Sequence, residues 1–144
     1  MARVDLDAVA ELHEAPQRDA QVLDVRPVDA FAAGHHPGAL NVPVSGTRFS
    51  TKAAFVLADA PVVVVASDED EAARAVRGLR SVGHLDVVGY VLGGGPESLE
   101  LVSVDQLDEL LEAGAELIDV REKDERDTGY IAGSLNIPYR LLAL

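Results

Sequence analysis

The chain has 144 residues, enough for one compact domain and short for two. Its 25 acidic and 12 basic residues give a formal net charge of −13, which argues against nucleic acid and anionic membranes as partners. It contains no cysteine, which excludes disulfides, thiolate metal sites, iron–sulfur ligation and a cysteine nucleophile. No apolar run approaches the ~20 residues that span a bilayer, and the N-terminal MARVDLDAV lacks a signal peptide's apolar core, so we expect a cytoplasmic protein.

The first two thirds of the chain alternate helical and strand patterns. Apolar residues at the i, i+3, i+4, i+7 spacing predict a helix over residues 6–13. Strands are predicted over residues 21–25, 39–42, 62–66 and 87–92, with helices over 49–58 and 71–82. The last of these helices carries Ala72, Val76, Leu79 and Val82 on one face. Strands that are apolar throughout and alternate with helices indicate a parallel sheet covered on both faces.

Glycine and proline then interrupt the pattern. The sequence GGGP at residues 93–96 predicts the end of a first domain, residues 1–95, and a linker over residues 96–102. SVDQLDELLEA (103–113) then predicts a helix with a capping box between Ser103 and Gln106, and its apolar face carries Leu107, Leu110 and Leu111. A strand is predicted over residues 116–120.

An internal repeat relates the two parts of the chain. LDVRPVDAFAAGHHPGALNVPV (23–44) aligns without gaps on IDVREKDERDTGYIAGSLNIPY (118–139), and nine of the 22 positions are identical. Asp24 and Arg26 recur 95 residues later as Asp119 and Arg121. The repeat predicts two copies of one structural unit, of which the second, residues 103–144, is partial.

The partial copy is too small to bury a hydrophobic core by itself. Its Leu-rich helix and apolar strand need a cover, which the first unit or another chain would supply. We therefore expect a homodimer formed through this half-repeat, with strand exchange between protomers as one form of it and another protein as an alternative partner.

The same segments resemble the rhodanese-like domain family. Residues 23–44 are similar to the family's opening, a strand ending in Asp-X-Arg, a helix, Gly-His-Ile-Pro-Gly-Ala and a strand ending in Asn-Ile-Pro. VVVVASDEDEAARAVRGLRSVGHLDVVGYVLGG (62–94) resembles the second half, in which a strand delivers the active-site loop to the start of a helix. The resemblance implies an α/β/α sandwich with a five-stranded parallel sheet, and sulfurtransferase activity through a cysteine persulfide. By this resemblance Asp24, Arg26 and His35 fall on family-motif positions, and so do Asp119 and Arg121 in the partial copy.

The sequence departs from the family at the catalytic position. Ala66 stands where the family has its cysteine, and the loop that should cradle an anion reads Ser67, Asp68, Glu69, Asp70, Glu71. A methyl group cannot accept sulfur, and the carboxylates would repel thiosulfate or sulfite. The residues therefore predict a vestigial active-site loop and a catalytically inactive protein.

A narrower resemblance covers residues 49–94, which are similar to the cysteine-less rhodanese unit of metallo-β-lactamase-fold proteins with tandem rhodanese domains, including persulfide dioxygenase-like enzymes. The hydrolase domain's His-rich metal motif is absent here, so no metal chemistry carries over. Two interpretations stay open. The chain is either an inactive interaction, structural or regulatory module in sulfur metabolism, or a component of a sulfurtransferase or persulfide-pathway enzyme whose activity resides elsewhere.

Two chemical alternatives exist for the acidic loop. Ser67 could be a replacement nucleophile, but no family position supplies its base, and we predict instead that it is the N-cap of the helix, with Asp70 three residues on. The four acids could bind a cation, but consecutive carboxylates at a helix start point in different directions. A solvated helix start that complements the helix dipole is the favoured interpretation.

The histidines and the repeated charges are also given structural roles. His35 and His36 could suggest a metal pair, but adjacent histidines in a turn rarely face one site, and the repeat has Tyr130 opposite His35. Recurrence of Asp24 and Arg26 in both copies favours a structural ion pair over catalysis. No metal and no cofactor are expected.

Overall fold

The structure is a computed structural model that describes residues 20–142, so the predicted helix over residues 6–13 lies outside the described residues. Contacts divide the chain into two compact units, with the boundary in the sequence between Glu100 and Leu101, and each is described by itself. No helix in the described part of the chain is both long and apolar enough to cross a membrane.

The first unit is built on a four-stranded sheet in which all neighbouring strands are parallel. Its elements are β1 (Gln21–Asp24), α1 (Val28–Ala33), β2 (Leu40–Asn41), α2 (Phe49–Val56), β3 (Val62–Ala66), α3 (Glu69–Ser81) and β4 (Val87–Leu92). The strand order is β2-β1-β3-β4. The predicted α/β class and parallel sheet are confirmed. The fifth strand came from the family resemblance alone, and no residue between 20 and 142 adds it to this sheet.

Strand β3 lies at the centre of the unit. All five of its side chains are fully buried, as expected for an inner parallel strand that is covered on both faces. Val62, Val64 and Ala66 belong to a cluster with residues of α2 and α3, and Val63 and Val65 belong to a second cluster with β1 and β4. The predicted bounds of β3 and β4 are confirmed.

Helices α2 and α3 pack together on one face of the sheet. Phe49 and Ala53 are the buried residues of α2, and α3 buries Ala72 and Leu79 among others. A Cβ atom at Gly78 of α3 would come within 2.8 Å of the Phe49 ring, so the missing side chain sets how closely the helices approach. The predicted inclusion of Val82 in the apolar face of α3 is wrong, because the helix ends one residue earlier and Val82 is exposed.

The second unit repeats the first half of that plan. A 3-10 turn (Val104–Gln106) leads into α4 (Leu107–Glu112), followed by β5 (Ile118–Asp119), α5 (Lys123–Asp127), β6 (Leu135–Asn136) and a 3-10 turn (Tyr139–Leu141). β5 and β6 pair in parallel, Ile118 with Leu135, which is the pairing of Leu23 with Leu40 moved by 95 residues. None of the residues between 101 and 142 is buried. This unit therefore has secondary structure without a core of its own.

The predicted capping box at the start of the second unit is present. Gln106 Oε1 accepts the N–H of Ser103 at 2.9 Å and its hydroxyl at 3.1 Å. The box opens on a 3-10 turn, and the α-helix proper starts only at Leu107. Its three predicted leucines are half-buried.

Candidate functional site

The carboxyl end of β3 carries the sequence's candidate site. Ala66, the last residue of the strand, is fully buried, and its carbonyl accepts the N–H of Gly93 at 3.1 Å. The residues between Ala66 and Glu71 are all exposed. The strand therefore ends in a buried methyl group, where catalysis would need an accessible nucleophile. Helix α3 begins three residues later, at Glu69.

The N-cap of α3 is Asp68, so the prediction that Ser67 caps this helix is wrong. Asp68 has the extended backbone that an N-cap requires (φ −150°, ψ 173°), and its Oδ1 accepts the N–H of Glu71 at 2.7 Å. Ser67 lies one residue too early, because the helix begins at Glu69. The Asp-X-X-Glu spacing, the carboxylate form of the capping box, could have identified this cap from the sequence.

The carboxylate of Glu71 points back into the loop, a role the sequence analysis did not predict. Its Oε2 accepts the N–H of Ser67 at 2.6 Å, and the residue is buried. A second acid, Glu69, is held by the hydroxyl of Tyr90, which donates to Oε1 at 2.9 Å. Helix N-termini bind anions through free N–H groups. Here two carboxylates of the chain, those of Asp68 and Glu71, already occupy backbone N–H groups of the loop.

The Asp–Arg pair that recurs in both repeats forms, in the first of them, a buried clamp at the end of β1. Arg26 Nη2 donates to Asp24 Oδ2 at 2.6 Å and to the carbonyl of Gly34 at 2.7 Å, while Arg26 Nε donates to Asp24 Oδ1 at 2.9 Å. Asp24 is completely buried and the Arg26 side chain is 8% exposed. Because Nε and Nη2 of the guanidinium are bonded to Asp24 and to the carbonyl of Gly34, the geometry is that of a structural clamp.

The second repeat builds the same clamp in a more exposed setting. Arg121 Nη2 donates to Asp119 Oδ2 and to the carbonyl of Gly129, both at 2.8 Å, but its side chain is 43% exposed. Arg126 adds a second guanidinium on Asp119 Oδ2 at 3.1 Å. Hydrogen bonds from Arg121 hold the pKa of Asp119 well below its usual range, and the carboxylate in turn raises the pKa of Arg121.

Both clamps are tied down by an asparagine that sequence reasoning gave no role. Asn41 Nδ2 donates to the carbonyls of Asp24 and Arg26 at 3.0 Å each, and Asn136 repeats both bonds at 2.9 Å in the second unit. The signal was available, because this asparagine is one of the positions identical in the two repeats. The side-chain amide thereby links the second strand of each unit to the loop after the first.

The two histidines occupy different environments. His35 Nδ1 lies 3.0 Å from the carbonyl of Phe31, its ring stacks on Phe31, and its backbone pairs with Glu97. His36 is buried, and its Nε2 has no hydrogen-bond partner among the described residues. Burial lowers the pKa of His36 and keeps the ring neutral. Within residues 20–142, no three His, Asp or Glu side chains come together as a metal-binding group.

Comparison with known proteins identifies the architecture. The family model of the rhodanese-like domain matches residues 6–98 and 103–143. The rhodanese-like domain of the Alr3790 protein from Anabaena sp. superposes with a TM-score of 0.53 at 21% identity, covering 72% of this chain and 93% of that one. No curated protein sequence matches.

Two larger proteins contain a similar part. The anaerobic ergothioneine biosynthesis enzyme from Chlorobium limicola matches with a TM-score of 0.54 at 15% identity, covering 94% of this chain and 40% of that one. A metallo-beta-lactamase from Staphylococcus aureus matches with a TM-score of 0.47 at 25% identity over 55% of this chain and 23% of its own. The chain thus spans well under two thirds of either protein, and at 15% identity the first of these likenesses shows the fold alone.

The free energy of unfolding should distinguish Asp68, the N-cap, from its neighbour Ser67. We expect Asp68→Ala to lower the free energy of unfolding by about 1 kcal/mol, because a helix N–H loses its acceptor. Ser67→Ala is the matched control and should change it by less than about 0.5 kcal/mol, as an ordinary surface substitution does. Urea unfolding followed by circular dichroism measures both. A larger loss for Ser67→Ala would restore the serine as the cap.

The two clamps offer a matched pair of substitutions. Asp24→Asn leaves the buried Arg26 without its counter-charge and should lower the free energy of unfolding by about 3 kcal/mol or more. Asp119→Asn makes the same change where Arg121 is half-exposed and water can take over, so we expect a clearly smaller loss. The same urea titration measures both. Equal losses would contradict the assignment of the first clamp as the buried, structural one.

Proposed function

The chain belongs to the rhodanese-like domain family, and we propose that it is a catalytically inactive member that serves as an interaction or structural module in sulfur metabolism. The family's resemblance implies a cysteine that carries sulfane sulfur, and this sequence has no cysteine at any position. A regulatory role in the same pathway is included in the proposal, and so is the cytoplasmic location that the sequence leads us to expect.

The observation that carries the inactive assignment is the state of the loop after β3. Persulfide chemistry needs a thiolate that is partly accessible and stabilised by N–H groups and positive charge. Ala66 offers a buried methyl group, and the carboxylates of Glu71 and Asp68 take N–H groups that would otherwise face an anion. Bringing thiosulfate to this loop would place it among four acids. Both the nucleophile and the anion cradle are therefore missing.

A second candidate function is support of a sulfurtransferase or persulfide-pathway activity that resides elsewhere. It is favoured by the coverage of the Chlorobium limicola enzyme, in which a region similar to nearly all of this chain makes up 40% of a longer protein. Another solved structure of similar fold, of the protein EanB, carries ergothioneine covalently linked with a persulfide cysteine. In this alternative the present chain positions such a catalytic part without taking part in the chemistry.

We also propose that two copies of the chain associate through the half-repeat, residues 103–144, with strand exchange as one form and another protein as the alternative partner. The support is that no residue between 101 and 142 is buried, whereas several large apolar side chains are exposed. Apolar side chains left in water are a common mark of interaction surfaces. The acidic surface argues against nucleic acid and anionic membranes as partners.

Restoring the thiol tests the inactive assignment. We expect no thiosulfate-to-cyanide turnover above buffer for the native chain, and none for Ala66→Cys, because a thiol at this fully buried position keeps a raised pKa and is inaccessible. Ser67→Cys is the matched control: it lies on the exposed side of the same turn and should react with a disulfide reagent at least ~10-fold faster. Turnover by the native chain that survives Ser67→Ala would refute the proposal.

The dimer is tested by molar mass. Light scattering during gel filtration should give twice the 15.2 kDa of one chain at micromolar concentration. Ile118→Lys, a charge on an exposed residue of the half-repeat, should shift the protein toward the monomer. Leu85→Lys, at an even more exposed residue of the first unit, should leave the mass unchanged. A monomer at every concentration would contradict self-association.

A further inference from the structure

One edge of β5 is open. Among the described residues β5 pairs only with β6, whereas its counterpart β1 has two neighbours, β2 on one side and β3 on the other. In the first unit the N–H of Val25 donates to the carbonyl of Val65 at 2.9 Å, and the N–H of Gln21 donates to that of Pro61 at 2.8 Å. The corresponding N–H groups of the second unit belong to Val120 and Glu116. Unpaired strand edges are templates for added strands.

A cavity of about 520 Å³ lies along this edge. It is lined by residues 117–121, by Gly129, Tyr130 and Ile131, and by Ser134. Moved back by 95 residues, these positions are residues 22–26, 34–36 and 39 of the first unit, where β3 and the loop at Gly94 and Gly95 pack against them. The cavity of the second unit is thus equivalent to the space that β3 and this loop occupy in the first unit.

Equivalent side chains next to this cavity are far more exposed in the second unit than in the first. Val120 is 42% exposed and its counterpart Val25 is fully buried. Ile118 is 43% exposed and its counterpart Leu23 is fully buried. In the first unit these two side-chain positions are buried in a cluster with residues of β3, α2 and α3, whereas no counterpart of these elements covers them among residues 101–142.

We propose that the β5 edge binds an extended segment of another polypeptide as a parallel strand, with side chains like those of β3. This inference rests on the interaction role proposed above. In the first unit the strand at this place consists of Val and Ala residues, so a segment that is uncharged, β-branched or small, and free of internal proline fits the edge best.

The charges of the second unit fit such an addition. The Asp119 side chain is already only 9% exposed, and its carboxylate is bonded to Arg121 and Arg126, so covering the edge would not leave it without a counter-charge. Residues 101–144 contain ten acidic and four basic residues, which gives this part of the chain a formal net charge of −6. A partner segment with basic residues on either side of its apolar strand is therefore favoured.

The test is a titration of the full chain with the peptide KKPVVVVASKK, the sequence of β3 between lysines. We expect saturable binding by calorimetry and slower hydrogen exchange at the amide of Val120. Val120→Lys should weaken binding at least ~10-fold, because it would place a charge in the lining of the cavity that the strand occupies. Val104→Lys, at an exposed residue of the same unit outside the cavity, should leave binding within ~2-fold, as a surface substitution does.

The control peptide KKPVPVVASKK removes a strand N–H and should bind at least ~10-fold more weakly. Equal binding of the two peptides, equal binding to Val120→Lys, or no binding at millimolar peptide would overturn the strand proposal. If instead the chain is a dimer whose β5 edges pair with each other and exclude the peptide, the strand proposal fails while the proposed self-association stands. A monomer that binds the peptide supports the strand and refutes only self-association.

Discussion

The arginine–carboxylate clamp at the end of β1 is the interaction on which the first unit depends. It joins three segments with charge-assisted hydrogen bonds: β1 through Asp24, the end of α1 through the carbonyl of Gly34, and the loop that carries Arg26 itself. Asn41 fastens β2 to the same loop. A buried carboxylate is tolerated when it is paired and hydrogen-bonded, as Asp24 is, and the same set of contacts recurs 95 residues later.

In the loop after β3, the chain's own carboxylates bind backbone N–H groups. The strand, the turn and the helix N-terminus keep the arrangement that binds anions in α/β proteins. The anions are now the chain's own, because Asp68 caps the helix and Glu71 reaches back to the N–H of Ser67. Acids at a helix start are stabilised by its dipole, so these two carboxylates contribute to stability while they take N–H groups that an anion would need.

Patterns local in the sequence were enough for much of this picture. The runs that became β3 and β4 are apolar throughout, and the ungapped repeat placed the clamps of both units at their correct positions. The cap of α3 was misplaced because several adjacent residues could serve, and only the backbone of Asp68 decides among them. The role of Glu71 and the contact of Gly78 with Phe49 depend on side chains meeting across a turn or between helices, which spacing does not encode.

The absence of buried residues between 101 and 142 has a consequence for the protein in a cell. A segment that buries so little has little with which to offset the entropy of ordering its chain. If the segment binds a partner as proposed, its folding equilibrium follows mass action, and the ordered fraction rises with the ratio of the partner's concentration to the dissociation constant. Under that proposal, chains without a partner would expose this segment to proteases, and the amount of protein present would follow the supply of the partner.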